Sequence, residues 1–480
     1  MDRRRSLNSQ FFLFFCVLSI VLLGACTLHP RYTRPCVEVP DTWRIPVDES
    51  MSYCNFRWWE QFGDPHLSGL ILEALEENND LKVAINRVYQ YAGQLQMVKS
   101  ELYPQLGGAI TAVRQEIPLG FSPFPLDVNR LSSEFVCLFN ASYDLDIWGS
   151  IRSASESALA QLFAQEEARR TVVLTLVTSV ATSYIQLKQF YKQLDISQQT
   201  YKSRVESYDL ALLRYHGGLT SELEPKQAKA ELETALAQVL DFELLVAQQE
   251  NLISVLVGHP PHSIEKGVSL DDLHLAVDIP AGIPSQVLEQ RPDILQAEWN
   301  LVSANAEIGV ARAQFFPNIS LTALYGNESL ALKNLFTGPT RTWVYGASIL
   351  QPFFTGGMLT GQLKVAEAQK LEAYYQYRQT VLNAFRETDD ALIAHRNSLE
   401  LLVVQKRRVE ALVEALNLAS LQYENGQTDY LNVLDARRNL FGSQLDAADV
   451  QGNTFISLVN IYKALGGGWV VEADQWALPE

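Results

Sequence analysis

The turns Tyr215-His-Gly-Gly-Leu-Thr220 and Tyr423-Glu-Asn-Gly-Gln-Thr428 decide the fold of this chain, because they are two copies of one motif. They lie 208 residues apart (423 − 215). The stretch after the first turn ends in Leu256-Val-Gly258, and the stretch after the second ends in Ala464-Leu-Gly466, again shifted by 208 residues. A unit of roughly 200 residues that occurs twice indicates one internally duplicated architecture rather than two unrelated domains.

A long window without glycine or proline precedes each turn, at residues 150–216 and 362–425. Within both windows apolar residues recur every seven positions, with a second apolar row four residues further on. This heptad pattern predicts long helices that pack as a coiled coil. At 1.5 Å per residue the first helix is about 100 Å long, several times the diameter of a domain. Its main apolar row consists of Val173, Val180, Leu187, Leu194, Tyr201, Tyr208 and Tyr215.

Each long helix needs partner helices, because a single apolar stripe is not stabilised by water. Shorter helices are therefore predicted to run antiparallel to the long ones in each copy. The glycines of the two turns reverse the chain at the start of two of these helices. The predicted ranges are 67–102, 219–257, 285–314 and 428–465.

Four shorter segments carry the alternating pattern of β-strands, two in each copy. Residues 135–147 and 343–350 are two of them, and residues 109–113 and 319–325 are their predicted partners. This pattern is typical of membrane β-barrels, and a soluble amphipathic hairpin is the alternative. Since the smallest common barrels have eight strands, the chain must oligomerise if its four strands span lipid. Flanking aromatic residues indicate a belt at a membrane interface; they are Tyr103, Trp148, Phe315, Phe316, Phe353 and Phe354.

The first residues have the features of a bacterial signal peptide. Three arginines at 3–5 precede an apolar stretch at 11–23, and Leu23-Gly-Ala-Cys26 then resembles a lipobox. A lipobox implies cleavage before Cys26 and acylation of this cysteine with chains such as palmitate; an ordinary secretory signal with an incidental cysteine is the alternative. Thr27 stands where an aspartate would indicate retention in the inner membrane, so sorting to the outer membrane is expected. Several acyl chains together hold a protein firmly on a membrane.

The mature chain has no run of 18 apolar residues, so no transmembrane helix is expected, and any crossing of a membrane must use strands. Three further cysteines, Cys36, Cys54 and Cys137, follow Cys26. A Cys36–Cys54 disulfide and three isolated thiols both remain open. No Cys-x-x-Cys motif or Cys/His cluster indicates a metal site, and no cofactor is expected apart from the lipid on Cys26.

The composition excludes two broad classes of function. A formal charge of −17 over 480 residues argues against nucleic acid as a partner, because no basic face is available for phosphates. The apolar fraction of 47% is sufficient for a large core. No nucleophile elbow, phosphate-binding loop or convergent set of His, Asp and Glu residues is present, so nothing in the chain indicates an enzyme.

Eight motifs lie in order along nearly the whole mature chain. They are Cys26-Thr-Leu-His-Pro30, Trp58-Trp-Glu-Gln-Phe-Gly-Asp-Pro65, Tyr143-Asp-Leu-Asp-Ile-Trp-Gly149, Gln290-Arg-Pro-Asp-Ile294, Ile308-Gly-Val-Ala-Arg-Ala-Gln-Phe-Phe-Pro317, Gln351-Pro-Phe-Phe-Thr-Gly-Gly357, Tyr430-Leu-Asn-Val-Leu-Asp-Ala-Arg-Arg438 and Tyr462-Lys-Ala-Leu-Gly-Gly-Gly-Trp469. With these motifs the chain resembles the TolC family of outer-membrane channels, in its branch of efflux-pump outer-membrane lipoproteins (NodT/OprM-like).

The resemblance implies a mainly α-helical homotrimer with a β-barrel part. Three protomers would contribute four strands each to a 12-stranded barrel in outer-membrane lipid, and their helices would form a long coiled-coil tunnel in the periplasm. A belt around the tunnel, called equatorial below, would use the remaining segments. The predicted division is 1–25 signal peptide, 26–65 lipidated equatorial segment, 66–258 first efflux-protein repeat, 259–284 equatorial linker, 285–466 second repeat and 467–480 equatorial tail.

Three residues after the second turn are the candidate gate. Leu431, Asp435 and Arg438 lie at positions i, i+4 and i+7 on one helix face. In similar channels the matching residues form the periplasmic constriction, so the resemblance implies an apolar ring of Leu431 and an acidic ring of Asp435 that pairs with Arg438 or a neighbouring protomer. An ordinary solvated pair of Asp435 with Arg438 is the alternative. The equivalent positions of the first copy lack the charges; they are Leu223, Gln227 and Ala230.

Both turns are expected to contact the helical hairpins of a periplasmic adaptor (membrane-fusion) protein, since coiled-coil tips suit helix-in-groove docking. Simple reversal of the chain is the alternative, and both can hold together. The residues concerned are Tyr215, Gly217, Gly218, Thr220, Tyr423, Gly426 and Thr428.

The leading functional hypothesis is a passive conduit in the bacterial outer membrane. An inner-membrane transporter of the RND type and a periplasmic adaptor would deliver drugs or other small toxic molecules to it. A channel for type I protein secretion is the alternative within the family. A lipid-anchored coiled-coil scaffold is the alternative from another class, but it does not explain the paired strands. Metal-ion efflux is less expected, because only 7 His and 4 Met residues are present.

Overall fold

The computed structural model describes residues 28–40, 42–45, 57–116, 131–274, 284–337 and 339–467. Two compact units are present. The first unit consists of Met1–Pro35, Val88–Gln165 and Ala297–Tyr377. The second consists of Cys36–Arg87, Glu166–Gln296 and Arg378–Glu480.

The first unit contains one antiparallel sheet of four strands in the order β1-β2-β3-β4. Every strand pairs with the next one along the chain, so both repeats contribute one hairpin to the same sheet. The four predicted segments are confirmed as strands. Their bounds are Gln105–Glu116 (β1), Leu131–Asp144 (β2), Asn318–Ser329 (β3) and Arg341–Leu350 (β4).

The sheet has one face dominated by apolar and aromatic residues. Phe139 lies directly opposite Tyr325, which lies opposite Trp343, so the three side chains share a face and form a row across β2, β3 and β4. All three are exposed in the single chain. The other face carries small polar residues, where the hydroxyls of Ser320 and Ser348 lie 2.7 Å apart.

The predicted extension of β2 as far as residue 147 is wrong. The strand ends at Asp144, although the backbone N–H of Leu145 still donates to the carbonyl of Ile319 at 2.8 Å. Asp146 instead accepts hydrogen bonds from the N–H groups of Ile151 (3.0 Å) and Arg152 (2.9 Å). These bonds satisfy free donors at the start of the following helix, so the strand ends three residues before the predicted position (147 − 144).

Eight α-helices are present among the described residues, and both long heptad helices are confirmed. The two long helices contain 67 residues each. The helices are α1 Pro65–Glu77, α2 Asn79–Ser100, α3 Ser150–His216, α4 Leu223–Leu256, α5 Pro284–Gln290, α6 Pro292–Ala313, α7 Met358–Glu424 and α8 Tyr430–Ala464. No helix in this part of the chain is both long and apolar enough to cross a membrane.

Two helices predicted as continuous are each divided. The predicted range 67–102 breaks at Asn78, whose Oδ1 accepts from Leu81 N (3.0 Å) and whose Nδ2 donates to Leu256 O (2.9 Å). The predicted range 285–314 breaks at Arg291, because Pro292 disfavours helical geometry in the residue before it. Periodicity alone does not reveal either break, since the apolar spacing continues across both.

The core of the second unit surrounds the middle of α3. Val173, Val180 and Leu187 of the heptad row are buried there with Tyr184. Trp58 belongs to a short 3₁₀-helix, Trp58–Phe62, and its ring stacks on Tyr462 with centroids 5.0 Å apart. The segment that precedes α1 thus packs into the helical core rather than lying loosely on it.

In the first unit, residues 28–35 run along α3 and α6. Asn305 Nδ2 donates to the carbonyl of Pro30 at 2.7 Å, and the ring of His29 lies 3.3 Å from Ser153 Oγ. Tyr32 and Arg34 both contact the carboxylate of Glu298. The chain is therefore held against helices from residue 28 onward, two positions after Cys26. Cys26 itself and Cys54 lie outside the described residues, while Cys36 is an exposed free thiol and Cys137 is a free thiol on β2.

Candidate functional site

The candidate site lies in the second unit, where the α3–α4 turn and the α7–α8 turn occur. Gly218 (φ 71°) and Gly426 (φ 72°) adopt left-handed backbone conformations, which explains why both copies of the motif keep glycine there. Leu219 N donates to Arg214 O (2.9 Å), and Gln427 N donates to Gln422 O (2.8 Å), so equivalent bonds close both helices. Tyr215 and Tyr423 lie in the last turns of α3 and α7, whereas the other predicted contact residues lie in the connections.

Tyr423 joins the two turns through its hydroxyl. The hydroxyl donates to Glu224 Oε1 at 2.5 Å and accepts a hydrogen bond from Arg214, whose guanidinium also lies 4.9 Å from the centre of the ring. Thr220 donates to the other oxygen of Glu224. Burial, and then the Glu224 carboxylate, raise the pKa of Tyr423 to about 12, so its hydroxyl keeps its proton under physiological conditions. Tyr423 and Thr220 belong to the turn motifs predicted from the sequence, whereas Glu224 and Arg214 are not among the predicted site residues.

The three predicted gate residues share the exposed face of α8. The exposed fraction is 52% for Leu431, and 62% and 55% for the side chains of Asp435 and Arg438. Val433 and Leu434, between them in sequence, are buried. The i, i+4, i+7 spacing therefore places the three side chains together, pointing away from the helical core.

Arg438 contacts a residue that the sequence analysis did not identify. Its Nε donates to Glu231 Oε1 on α4, whereas its NH1 atom lies 3.8 Å from Asp435 Oδ1. Glu231 is therefore the main partner of Arg438 within one chain. One sequence signal could have indicated this residue: Glu224 and Glu231 lie one heptad apart, so both carboxylates occur on the same stripe of α4.

Glu231 is shared between two arginines. Arg204 NH1, from α3, lies 3.0 Å from Glu231 Oε2, and both side chains are buried, with exposed fractions of 5% and 7%. The same NH1 atom has no aligned hydrogen-bond acceptor among the described residues. Burial lowers the pKa of Arg204, while the Glu231 carboxylate acts in the opposite direction.

A cavity of about 100 Å³ lies between the two turns. Its polar walls include Arg214, Glu224, Tyr423, Tyr430 and Arg437. Arg437 donates to Ser207, and the buried hydroxyl of Tyr430 has no partner in the described part of the chain. The cavity is large enough for a few water molecules, and such waters can satisfy the hydroxyl of Tyr430. No cluster of three metal-ligating side chains occurs among the described residues.

Residues 70–259 and 283–467 match the sequence family described as "Outer membrane efflux protein". The probable efflux pump outer membrane protein TtgC of Pseudomonas putida is 35% identical over 462 residues, which cover 95% of both chains. The cation efflux system protein CusC of Escherichia coli is 34% identical over 459 residues, covering 95% of this chain and 98% of CusC. The probable outer membrane lipoprotein SilC of Salmonella typhimurium is 33% identical, covering 94% of this chain and 97% of SilC.

Solved structures of outer membrane channels also align with most of the chain. The CmeC outer membrane channel of Campylobacter jejuni aligns with a TM-score of 0.87 at 26% identity, covering 94% of this chain and 98% of CmeC. The open state of the MtrE outer membrane channel of Neisseria gonorrhoeae aligns with a TM-score of 0.83 at 32% identity, covering 92% of this chain and 99% of MtrE.

The duplicated helical hairpins and the four-stranded sheet define the class of TolC-type outer-membrane channels. The chain belongs to the outer membrane efflux protein family. It is an efflux channel of the bacterial outer membrane and not an enzyme. The family, the fold class and the general function predicted from the motifs are thereby confirmed.

Proposed function

We propose that three copies of this chain form a passive conduit whose strands close a 12-stranded barrel in the outer membrane. The observation that carries this proposal is the exposed aromatic row Phe139, Tyr325 and Trp343 on the apolar face of the sheet. Aromatic girdles of this kind lie at the lipid interfaces of membrane barrels. Four strands are too few for a barrel, and β1 and β4 are sheet edges within one chain, so neighbouring copies supply the missing pairing.

Cys26 is proposed to carry the lipid anchor of each protomer. The lipobox Leu23-Gly-Ala-Cys26 supports acylation, and one relative is described as an outer membrane lipoprotein. The contacts of His29 and Pro30 with α3 and α6 begin only a few residues later. Only a short length of chain therefore connects the proposed anchor to the helices. Mass spectrometry of the purified N-terminal peptide tests the acylation of Cys26.

The partners are proposed to be a periplasmic adaptor and an inner-membrane transporter of the RND type. The exposed turns of α3–α4 and α7–α8 offer the surface for the adaptor, with Leu219 among the exposed side chains. We further propose drugs or other small toxic molecules as cargo, because relatives include efflux pump proteins for toluene and antibiotics. Relatives described as cation efflux proteins make metal ions the second candidate cargo.

The gate is proposed to consist of Leu431, Asp435 and Arg438, with Glu231 as the latch that holds Arg438 in the closed state. Around a threefold axis Leu431 would supply an apolar ring, and Asp435 an acidic one. Arg438 anchors α8 to α4 through Glu231. When this contact breaks, α8 is free to move outward from the axis and widen the pore.

Single-channel recording in a planar bilayer, together with the mass of the purified protein in detergent, tests this function. We expect a trimer with small, discrete conductance steps, and larger steps for Arg438→Ala. Arg396→Ala is the matched control, because Arg396 forms an exposed pair with Glu400 within α7. A monomer or dimer without conductance would refute the barrel and favour the lipid-anchored scaffold instead.

A further inference from the structure

Glu231 has more charged partners than a simple latch for Arg438 requires. Its two oxygens contact two different arginines: Oε1 accepts from the exposed Arg438, and Oε2 lies 3.0 Å from the buried Arg204. The three residues belong to three helices, α8, α4 and α3. Arg438 alone would neutralise the carboxylate, so the second, buried arginine needs a physical explanation.

The explanation lies in the state that follows release of Arg438. The side chain of Glu231 is only 7% exposed in the single chain, and a buried carboxylate that loses its partner is strongly unfavourable. With Arg438 as sole partner, opening the gate would leave this charge uncompensated. The latch would then hold the closed state too strongly for a channel that must open.

We propose that Arg204 is the stand-in partner of Glu231, which keeps the carboxylate neutralised when Arg438 leaves and so makes the gate reversible. This inference rests on the proposed gate. Arg204 is a positioning residue in this scheme, because it acts on the gate only through Glu231.

Two features of Arg204 fit this role. Its NH1 atom lies close to Glu231 Oε2, but the two are not aligned for a hydrogen bond. This buried N–H group can therefore donate a hydrogen bond to the carboxylate once the carboxylate changes its orientation. Arg204 is also repelled by Arg437 and Arg438. Departure of Arg438 removes part of that repulsion and strengthens the attraction between Arg204 and Glu231, which favours the open state.

The proposal predicts opposite effects for two neighbours in one cluster. Glu231→Gln removes the latch and should raise the open fraction in single-channel recordings by about tenfold or more, as expected for the loss of one contact between charged groups. Arg204→Gln should lower the open fraction by a similar factor, because Glu231 then depends on Arg438 alone. Arg204→Lys keeps the charge and should restore most of the wild-type open fraction.

Lys202→Gln is the matched control, because it removes the same charge from an exposed position two residues earlier on α3. Trimer mass and thermal unfolding, measured for every variant, identify a variant that has lost its structure. If Arg204→Gln is such a variant, a clearly altered open fraction in folded Arg204→Lys would overturn the stand-in role, because the charge beside Glu231 is kept. An increased open fraction in Arg204→Gln would overturn the stand-in role while leaving the gate intact. Unchanged recordings in both Glu231→Gln and Arg438→Ala would instead refute the gate itself.

Discussion

The hydroxyl of Tyr423 donates a hydrogen bond to Glu224 at 2.5 Å and thereby joins the end of α7 to the first turn of α4. The two residues come from different repeats, and each has a second partner in the same cluster: Arg214 for the hydroxyl and Thr220 for the carboxylate. Two turns that sequence analysis treats as separate reversals are thus one connected structure. Leu431, the first of the proposed gate residues, lies on α8 only a few residues after this junction.

Tyr423→Phe should weaken this junction without removing the ring that Arg214 covers. A hydrogen bond to a charged group contributes about 1.5–3 kcal/mol. The variant should therefore destabilise, by about this free energy, the state in which the two turns are joined. We expect more frequent opening in single-channel recordings and a lower resistance to denaturant. Tyr215→Phe is the control, because Tyr215 occupies the equivalent position of the first repeat and is exposed. Equal behaviour of the two variants would contradict a role for the hydroxyl.

Asp435→Ala should raise single-channel conductance and reduce any preference for cations. The side chain of Asp435 is well exposed on α8, and in the proposed gate three copies around an axis would concentrate negative charge at one constriction. Reversal potentials across a salt gradient report the selectivity, and they should move toward zero in the variant. Asp446→Ala is the control, because it removes an exposed carboxylate further along α8, which pairs with Arg408 on α7. Anion selectivity of the wild-type channel, or unchanged conductance of Asp435→Ala, would remove Asp435 from the gate.

The two long helices can be predicted from the sequence, because no glycine or proline interrupts the heptad rows within the windows 150–216 and 362–425. The window 150–216 reproduces the bounds of α3, and 362–425 starts four residues after α7 because Gly361 lies inside the helix. The break at Asn78 was missed, because it depends on the distant carbonyl of Leu256. Strand β1 was predicted too short, since Gly107 and Gly108 weaken its pattern, while pairing with β2 supplies the missing stabilisation.

The site was only half predictable for a similar reason. One helical repeat is enough to place Leu431, Asp435 and Arg438 on a shared face, since the spacing is local. The contact of Arg438 with Glu231 joins residues 207 positions apart, and that of Arg204 with Glu231 crosses to a third helix. Such contacts depend on how the helices pack against each other, which periodicity does not specify.

His395 makes stability depend on pH. This residue is 2% exposed on α7, and its Nδ1 lies 2.8 Å from Ser457 Oγ on α8. Burial lowers the pKa of His395 below its ordinary value of about 6.5, so the unfolded chain binds the proton more readily than the folded one. Stability should therefore be complete above about pH 6.5 and fall as the pH decreases below that value.

His395→Gln should reduce this dependence, because the amide keeps a polar contact without a titratable proton. Chemical unfolding in detergent at pH 7.5 and 5.5 measures the difference, and the loss at low pH should be smaller in the variant. His216→Gln provides the control at an exposed position at the end of α3. The same loss at low pH in His395→Gln and in the wild type would show that other groups cause the dependence.

Asp64 and Lys188 should show strongly coupled effects on stability, because they form a buried ion pair. Lys188 Nζ lies 3.7 Å from Asp64 Oδ2, and the latter also accepts a 2.7 Å hydrogen bond from Tyr184. Asp64→Ala leaves the buried ammonium without a carboxylate partner, so that it keeps only its bond to a backbone carbonyl and its contact with the ring of Tyr184, 4.4 Å away, at a cost of about 3–5 kcal/mol. Lys188→Met should cost less stability, since Asp64 keeps Tyr184 and the N–H of His66 as donors.

The double variant should then be more stable than the sum of the two single effects predicts. Denaturant unfolding followed by tryptophan fluorescence measures this difference, because the buried Trp58 and Trp59 lie nearby. Additive effects would show that the two charges do not depend on each other.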